Sequence, residues 1–152
     1  MTVRDLMNTD FQAAEESETL LDAARRMLGH GVNSLPILDR QGTLIGVLEI
    51  EDLLPKLEPV PFSEDVEALR LFGAWVDEKN LNSFCAQYCE KRVSELMHAD
   101  PSILEPDDDL STVLREMRET AFRPIFVVDA GRRLLGMITR SDMLELLLGD
   151  ES

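Results

Sequence analysis

Apolar residues recur at helical spacing in two stretches of the chain, and each stretch follows a short polar segment. Within each stretch the apolar residues lie three, four and seven positions apart, which places them on one face of an α-helix. The two sets are Leu20, Ala23, Ala24 and Met27, then Leu110, Val113, Leu114 and Met117. The preceding polar residues, 17–19 and 107–109, are good helix N-caps. We therefore predict two amphipathic helices, the first ending near Gly29 and Gly31.

Each predicted helix is followed by two short apolar runs that are joined by a turn. These runs are 35–38 with 43–48, and 125–128 with 133–138. Aspartate followed closely by glycine separates the runs of both pairs, which is typical of β-hairpins. The remaining predicted elements are amphipathic turns at 3–7 and 93–97, brief extended pieces, and closing helices at 50–54 and 141–148. The predicted order of elements in each half is thus helix-strand-helix-strand-strand-helix, which is an α+β organisation.

The two halves are copies of one pattern. When the sequence is shifted by 90 residues, Val3–Leu54 lies over Val93–Leu144 without a gap, and 13 of the 52 aligned positions are identical. Chance would give roughly a quarter of that number. Each half is too short to bury a sufficient core by itself, so we expect the halves to pack against each other.

A middle segment separates the repeats and does not share their pattern. The predicted division is a first repeat at 1–54, a connector and helical insert at 55–92, and a second repeat at 93–152. Prolines at 55, 59 and 61 indicate an extended connector, and five of the eight aromatic residues of the chain follow it. The insert either packs onto its own repeats or contacts another subunit.

Charge narrows the classes of function. The chain carries 30 acidic and 15 basic residues, a formal net charge of −15. This balance argues against binding to a nucleic-acid backbone or to an anionic membrane surface. There is no run of 18 apolar residues and no apolar segment near the start, so we expect a cytoplasmic chain without a membrane span or signal peptide.

Side chains with catalytic or metal-binding chemistry are sparse. Cys85 and Cys89 have no second ligand pair, and His30 and His98 lie far from them in sequence, which favours reduced thiols over a zinc site. The nucleophile-elbow, zinc-protease, phosphate-loop and dinucleotide-binding motifs are all missing from the sequence. We therefore predict a protein that is not an enzyme and requires no cofactor or metal.

The junction after the last predicted strand carries a hydroxyl and a carboxylate three residues apart. Thr139 ends the strand and Asp142 lies on the first turn of the following helix. Such a pair can converge on one point and bind the hydroxyls of a ribose. The same spacing also describes a capping box, in which the two side chains only secure the start of the helix. Local spacing alone leaves both interpretations open.

The joint order of these features resembles the CBS domain, named after cystathionine β-synthase, and two in tandem resemble a Bateman module. The resemblance rests on the paired halves, Leu-Met-x-x-Asp near each start, the hairpin aspartate and the Gly-h-h-Thr-x-x-Asp end, where h is apolar. It implies two repeats packed sheet to sheet about a pseudo-twofold axis. It also implies an adenosine ligand (AMP, ADP, ATP or S-adenosylmethionine), a homodimer, and regulation of a separate partner protein.

The resemblance assigns ligand-binding roles to particular residues. Thr139 and Asp142 match the ribose pair, and Asn33 and Ser34 are expected to reach the same ligand from the first repeat. The other residues assigned to this site are Ser102, Ile103, Ile125, Phe126 and Arg140. A second, weaker site is expected at Asp52, Glu49 and Arg123, where Glu49 replaces the hydroxyl residue.

The leading function is therefore an adenosine-nucleotide sensor. Two alternatives are a ligand-free oligomerisation scaffold that uses the aromatic insert, and a divalent-cation sensor that uses the abundant carboxylates.

Overall fold

The computed structural model describes residues 1–53 and 90–149, which form two α+β halves with one three-stranded sheet each. The first half contains α1 (Val3–Leu6), β1 (Ala14–Glu15), α2 (Leu20–His30), β2 (Ser34–Leu38), β3 (Leu44–Glu49) and a 3₁₀ helix (Ile50–Leu53). The second contains a 3₁₀ helix (Val93–Glu95), β4 (Ser102–Leu104), α3 (Leu110–Glu119), β5 (Ile125–Val128), β6 (Leu134–Ile138) and α4 (Arg140–Leu148). The predicted fold class and order of elements are confirmed. The closing helix predicted at 50–54 is a 3₁₀ turn instead.

Both sheets have the same topology. The middle strand pairs in parallel with the short first strand and antiparallel with the third, so the predicted hairpins are confirmed. The register shifts at equivalent places, between Ile37 and Leu38 in one hairpin and between Val127 and Val128 in the other. The repeat that the sequence shows therefore extends to the irregularities of the strands.

The two amphipathic helices begin at the polar residues that the sequence indicated. Thr19 accepts a hydrogen bond from the backbone N–H of Asp22 at 3.2 Å, and Asp109 accepts one from that of Thr112 at 2.9 Å. Asp109 also accepts from the hydroxyls of Ser111 and Thr112. These bonds, that from the Thr112 backbone above all, lower the pKa of Asp109 to about 2. Helix α2 ends at Gly31, whose φ of 63° is readily adopted by glycine.

The opening segment of each half packs on the other half. Val3 is fully buried in the core of the second half, among Leu104, Val113 and Ile138. Val93 is fully buried in the core of the first half. The backbone N–H of Val3 donates to the carbonyl of Asp108 at 2.8 Å, and that of Val93 donates to Glu18 at 2.9 Å. The halves thus exchange their first turns, and the core of each half is completed by the first turn of the other half.

Glycines mark the places where the exchanged segments cross the sheets. A Cβ added at Gly136 would lie 2.9 Å from the carbonyl oxygen of Asn8, and one at Gly46 would lie 2.8 Å from that of His98. Contacts this close leave room only for a residue without a side chain. The two positions are identical in the internal alignment for this steric reason.

The sheets meet through an apolar layer. Leu44, Val47, Phe126 and Val128 are buried together in it. The hairpin tips also touch, since the N–H of Leu44 donates to the carbonyl of Arg132 at 3.0 Å. This contact between the sheets positions the cleft described below.

Most of the predicted insert at 55–92, including Cys85 and Cys89, lies outside the described residues. Within 1–53 and 90–149, no helix combines the length and apolar character needed to cross a bilayer.

Candidate functional site

A cavity of about 940 Å³ lies between the halves and is lined by residues from both. We divide it into two ends. The Thr139 end contains Thr139 and Arg140 of the second half; Asn33 and Ser34 line the same cavity, with Ser34 paired to Glu49 in the first sheet. The Asp52 end is lined by Glu49, Asp52, His98 and Arg123. Seven of the predicted site residues, Asp52 among them, thus line one cavity together with the unpredicted His98.

At the Thr139 end, the predicted hydroxyl and carboxylate pair forms a capping box. Asp142 Oδ2 accepts from the backbone N–H of Thr139 at 2.7 Å and from its hydroxyl at 3.0 Å. The N–H of Asp142 lies 3.4 Å from Thr139 Oγ1. All of these carboxylate contacts use Oδ2, and Oδ1 has no hydrogen-bond partner in the part of the chain that the structure describes. Asp142 is half-buried beside Thr139 rather than in the cavity lining.

The two interpretations of this pair are therefore compatible. One carboxylate oxygen secures the start of α4, while the other remains able to accept hydrogen bonds from a ligand.

The Asp52 end has the equivalent junction with different groups. Asp52 Oδ2 accepts from the backbone N–H of Glu49 at 2.8 Å, and Oδ1 lies 2.8 Å from Nε2 of His98. Arg123 Nη1 lies 4.0 Å from Glu49 Oε1. The structure thus brings Arg123 beside Glu49 and adds His98 to the predicted group.

A smaller cavity of about 600 Å³ adjoins the Asp52 end and contains two of the residues that were expected at the Thr139 site. Ser102 and Phe126, which were assigned to the Thr139 site, line this cavity together with Glu49 and Arg123. Ile103 packs in the layer between the sheets, and Ile125 is fully buried in the core of the second half. Neither isoleucine is among the lining residues of either cavity.

The crossing of the chain between the halves accounts for these positions. After His98 pairs with Val47 of the first half, the chain enters β4 from the Asp52 side, which brings Ser102 there. On β5, neighbouring side chains point to opposite faces of the sheet, so Phe126 faces the other sheet while Ile125 faces the helices.

Several lining residues were not predicted. Asp10, Phe11 and Gln12 lie on the segment that returns from the second half to the first, and they line the larger cavity. His98 lies on the equivalent segment of the other half. The internal alignment pairs Asn8 with His98 and Asp10 with Asp100, but only the exchange of segments shows that these positions face a cleft.

Charge differs between the two ends of the larger cavity. Among the described residues that line the cavity, Glu49, Glu51, Asp52 and Arg123 sum to a formal charge of −2 with histidine neutral. The remaining charged lining residues, Asp10 and Arg140, carry opposite charges. The Thr139 end is therefore the less repulsive place for an anionic group.

Two repeated halves that exchange their first turns and share a cleft define a class of paired α+β modules. The family model of the CBS domain matches residues 3–58 and 93–149. The chain belongs to the CBS-domain family and contains two such domains in tandem.

Relatives of the chain occur in proteins of different length. It is 28% identical over 153 residues to the chloroplastic CBS domain-containing protein CBSX2 of Arabidopsis thaliana, and the match covers 97% of this chain and 63% of CBSX2. It is 27% identical to a homoserine O-acetyltransferase of Methanocorpusculum labreanum, where the match covers 96% of this chain and 24% of the relative. The chain thus spans less than two thirds of the length of either relative.

Solved structures share the fold. The structure of CBSX2 in complex with AMP has a TM-score of 0.72 and 26% identity, and the match covers 99% of this chain and 98% of that one. The CBS domain pair of protein MJ0100, in complex with 5′-methylthioadenosine and S-adenosyl-L-methionine, has a TM-score of 0.68 and 20% identity, with 99% and 98% covered. The second likeness concerns the fold alone.

Proposed function

We propose that this chain is a regulatory module that binds an adenosine compound at the Thr139 end of the cleft. The observation that carries the proposal is the divided role of Asp142, whose Oδ2 caps α4 while Oδ1 is left without a partner among the described residues. A carboxylate oxygen fixed next to a threonine hydroxyl suits the two hydroxyls of a ribose. The AMP complex of the relative CBSX2 supports the same ligand class.

Within that class, the charges favour a ligand with little negative charge. Among the described residues, the basic side chains that line the cavity are Arg140 and Arg123, Arg123 lies beside Glu49, and the carboxylates of the Asp52 end lie in the same cavity. One phosphate can pair with one guanidinium, whereas three phosphates would extend toward like charge. We therefore expect AMP or S-adenosylmethionine to bind more tightly than ATP.

Regulation follows from the position of the cleft. The lining of the cavity comes from both halves, so a ligand that contacts both stabilises one relative arrangement of them. A separate partner protein would then recognise that arrangement. The proposal includes no catalytic step and no required cofactor, and a cytoplasmic location stays a prediction.

We also propose that the module is a homodimer. Leu144, Leu147 and Leu148 of α4 are exposed, which is unfavourable for a helix that faces only water. A second copy of the chain would cover them. The mass in solution measures this directly, and Leu147→Glu is expected to reduce it from that of a dimer to that of a monomer.

The proposed ligand is tested by isothermal titration calorimetry with AMP, S-adenosylmethionine and ATP. Asp142→Ala is expected to weaken AMP binding by roughly 10- to 150-fold, since a hydrogen bond to a charged group contributes about 1.5–3 kcal/mol. Asp109→Ala is the matched control, because it removes an aspartate cap from α3. The proposal is wrong if no adenosine compound binds the wild type below millimolar concentration, or if the two variants bind alike.

The two alternatives predict different results. A ligand-free scaffold would bind none of these compounds and would lose its oligomeric mass when residues 60–90 are deleted. A divalent-cation sensor would be stabilised by Mg²⁺ beyond the effect of matched ionic strength. In 1–53 and 90–149, no three His, Cys, Asp or Glu side chains are grouped closely enough to hold a metal ion, so no observation favours the cation sensor.

A further inference from the structure

The two ends of the cleft are built from equivalent positions but carry different side chains. Asn8 and His98 occupy equivalent places, each in an antiparallel bridge to the third strand of the opposite sheet. The N–H of Asn8 donates to Met137 at 2.8 Å, and that of His98 donates to Val47 at 2.8 Å. Because the backbones match, any difference between the two ends comes from the side chains.

The shorter of the two side chains makes no hydrogen bond with the neighbouring carboxylate. Asn8 Oδ1 accepts from the backbone N–H of Asp10 at 2.9 Å and so is held by its own segment. Asp142 Oδ1 has no partner among the described residues.

The longer side chain covers the equivalent carboxylate. His98 Nε2 lies 2.8 Å from Asp52 Oδ1, and the carboxylate can only accept, so this nitrogen carries the hydrogen. The imidazole is 57% exposed whereas the Asp52 side chain is 14% exposed. The ring thus lies on the solvent side of the acceptor that a ribose would need.

The second group of this end is also paired internally. Glu49 stands where the other half has Thr139, and its carboxylate lies 4.0 Å from the guanidinium of Arg123. A phosphate that approached Arg123 would be repelled by this carboxylate. Both the ribose acceptor and the cation of this end are therefore engaged by the chain itself.

We propose that His98 and Glu49 are specificity-determining residues that close the Asp52 end to adenosine ligands, so that each chain binds one ligand rather than two. This inference rests on the proposed function of the Thr139 end. The two repeated halves then differ in function. The Thr139 end binds the ligand, whereas the chain's own side chains engage the equivalent groups at the Asp52 end.

The test transplants the groups of the open end onto the closed end. In the variant Glu49→Thr with His98→Asn, the Asp52 end receives the side chains that the equivalent positions already carry. Calorimetry with AMP is expected to give one site per chain in the wild type and two in this variant. The reciprocal variant, Thr139→Glu with Asn8→His, is expected to weaken AMP binding at least about tenfold.

Asp142→Ala identifies which end is occupied. Added to the wild type, it is expected to weaken AMP binding by roughly 10- to 150-fold. Added to the transplanted variant, it is expected to weaken one site and leave the other unchanged. Circular dichroism and the urea midpoint of each variant verify that it is folded.

The outcomes separate this inference from the proposed function. Two AMP sites of similar affinity in the wild type would overturn the inference and keep the adenosine ligand. A folded transplanted variant with only one site would also overturn it. If the wild type binds no AMP, the proposed function fails. In that case the transplanted variant that also carries Asp142→Ala tests the inference. Binding of one AMP per chain supports the inference, and the absence of AMP binding contradicts it.

Discussion

The replacement of Gly136 by alanine tests the exchange of the opening segments. The added Cβ would lie 2.9 Å from the carbonyl oxygen of Asn8, 3.0 Å from Met7 Sδ and 3.1 Å from Met7 Cγ. The backbone oxygen cannot move without stretching the two hydrogen bonds between Asn8 and Met137, which are 2.8 and 3.0 Å long. Overpacking of this kind costs about 1–3 kcal/mol, and each weakened hydrogen bond adds about 0.5–1.5 kcal/mol.

We therefore expect Gly136→Ala to lower the free energy of unfolding by about 2–6 kcal/mol, even though alanine suits a strand better than glycine. Urea denaturation followed by circular dichroism measures this value. Gly29→Ala is the matched control, because that exposed glycine lies within α2 and a Cβ there meets nothing within 4 Å. The control is expected to raise the stability by about 0.5–1 kcal/mol. The segment exchange would be refuted if the two variants changed stability equally and in the same direction.

Two further predictions concern an exposed cap and the layer between the sheets. The pKa of Asp109 is about 2 in the folded chain and 3.8 without these hydrogen bonds, so its stabilising effect is complete above pH 3.8 and is lost as the pH falls through about 2. Asp109→Asn should therefore reduce stability at neutral pH, and the difference from the wild type should shrink between pH 4 and 2 in acid-denaturation curves; a difference that stays constant would contradict this account. Phe126 is 1% exposed between the sheets, and Phe126→Ala should cost about 3–5 kcal/mol in urea unfolding. A loss below 1 kcal/mol would show that the sheets do not pack there.

Local patterns in the sequence predicted the elements of the fold, except that the closing helix at 50–54 is a 3₁₀ turn. Helical spacing identified the buried faces of α2 and α3. The structural equivalence that the internal alignment predicted extends to the register shifts of the two hairpins. Helix ends follow from side-chain chemistry within three residues, which a sequence shows directly.

The arrangement of the cleft depends on a crossing that local patterns do not show. In the sequence, Val3 is an ordinary apolar residue of the first half. Only the folded chain shows that it completes the core of the second half. The same crossing moves Ser102 to the Asp52 end and brings His98 to Asp52. The one signal in the sequence was the pair of glycines at 46 and 136, whose identity reflects close approach of backbone to backbone.

The most direct test of the central claim is a crystal structure of the chain grown with AMP. The account predicts ribose density at the Thr139 end, with a hydroxyl within hydrogen-bonding distance of Asp142 Oδ1, and His98 still bonded to Asp52. Density for the ribose at Asp52 with the Thr139 end empty would contradict it, as would an empty cleft at saturating AMP.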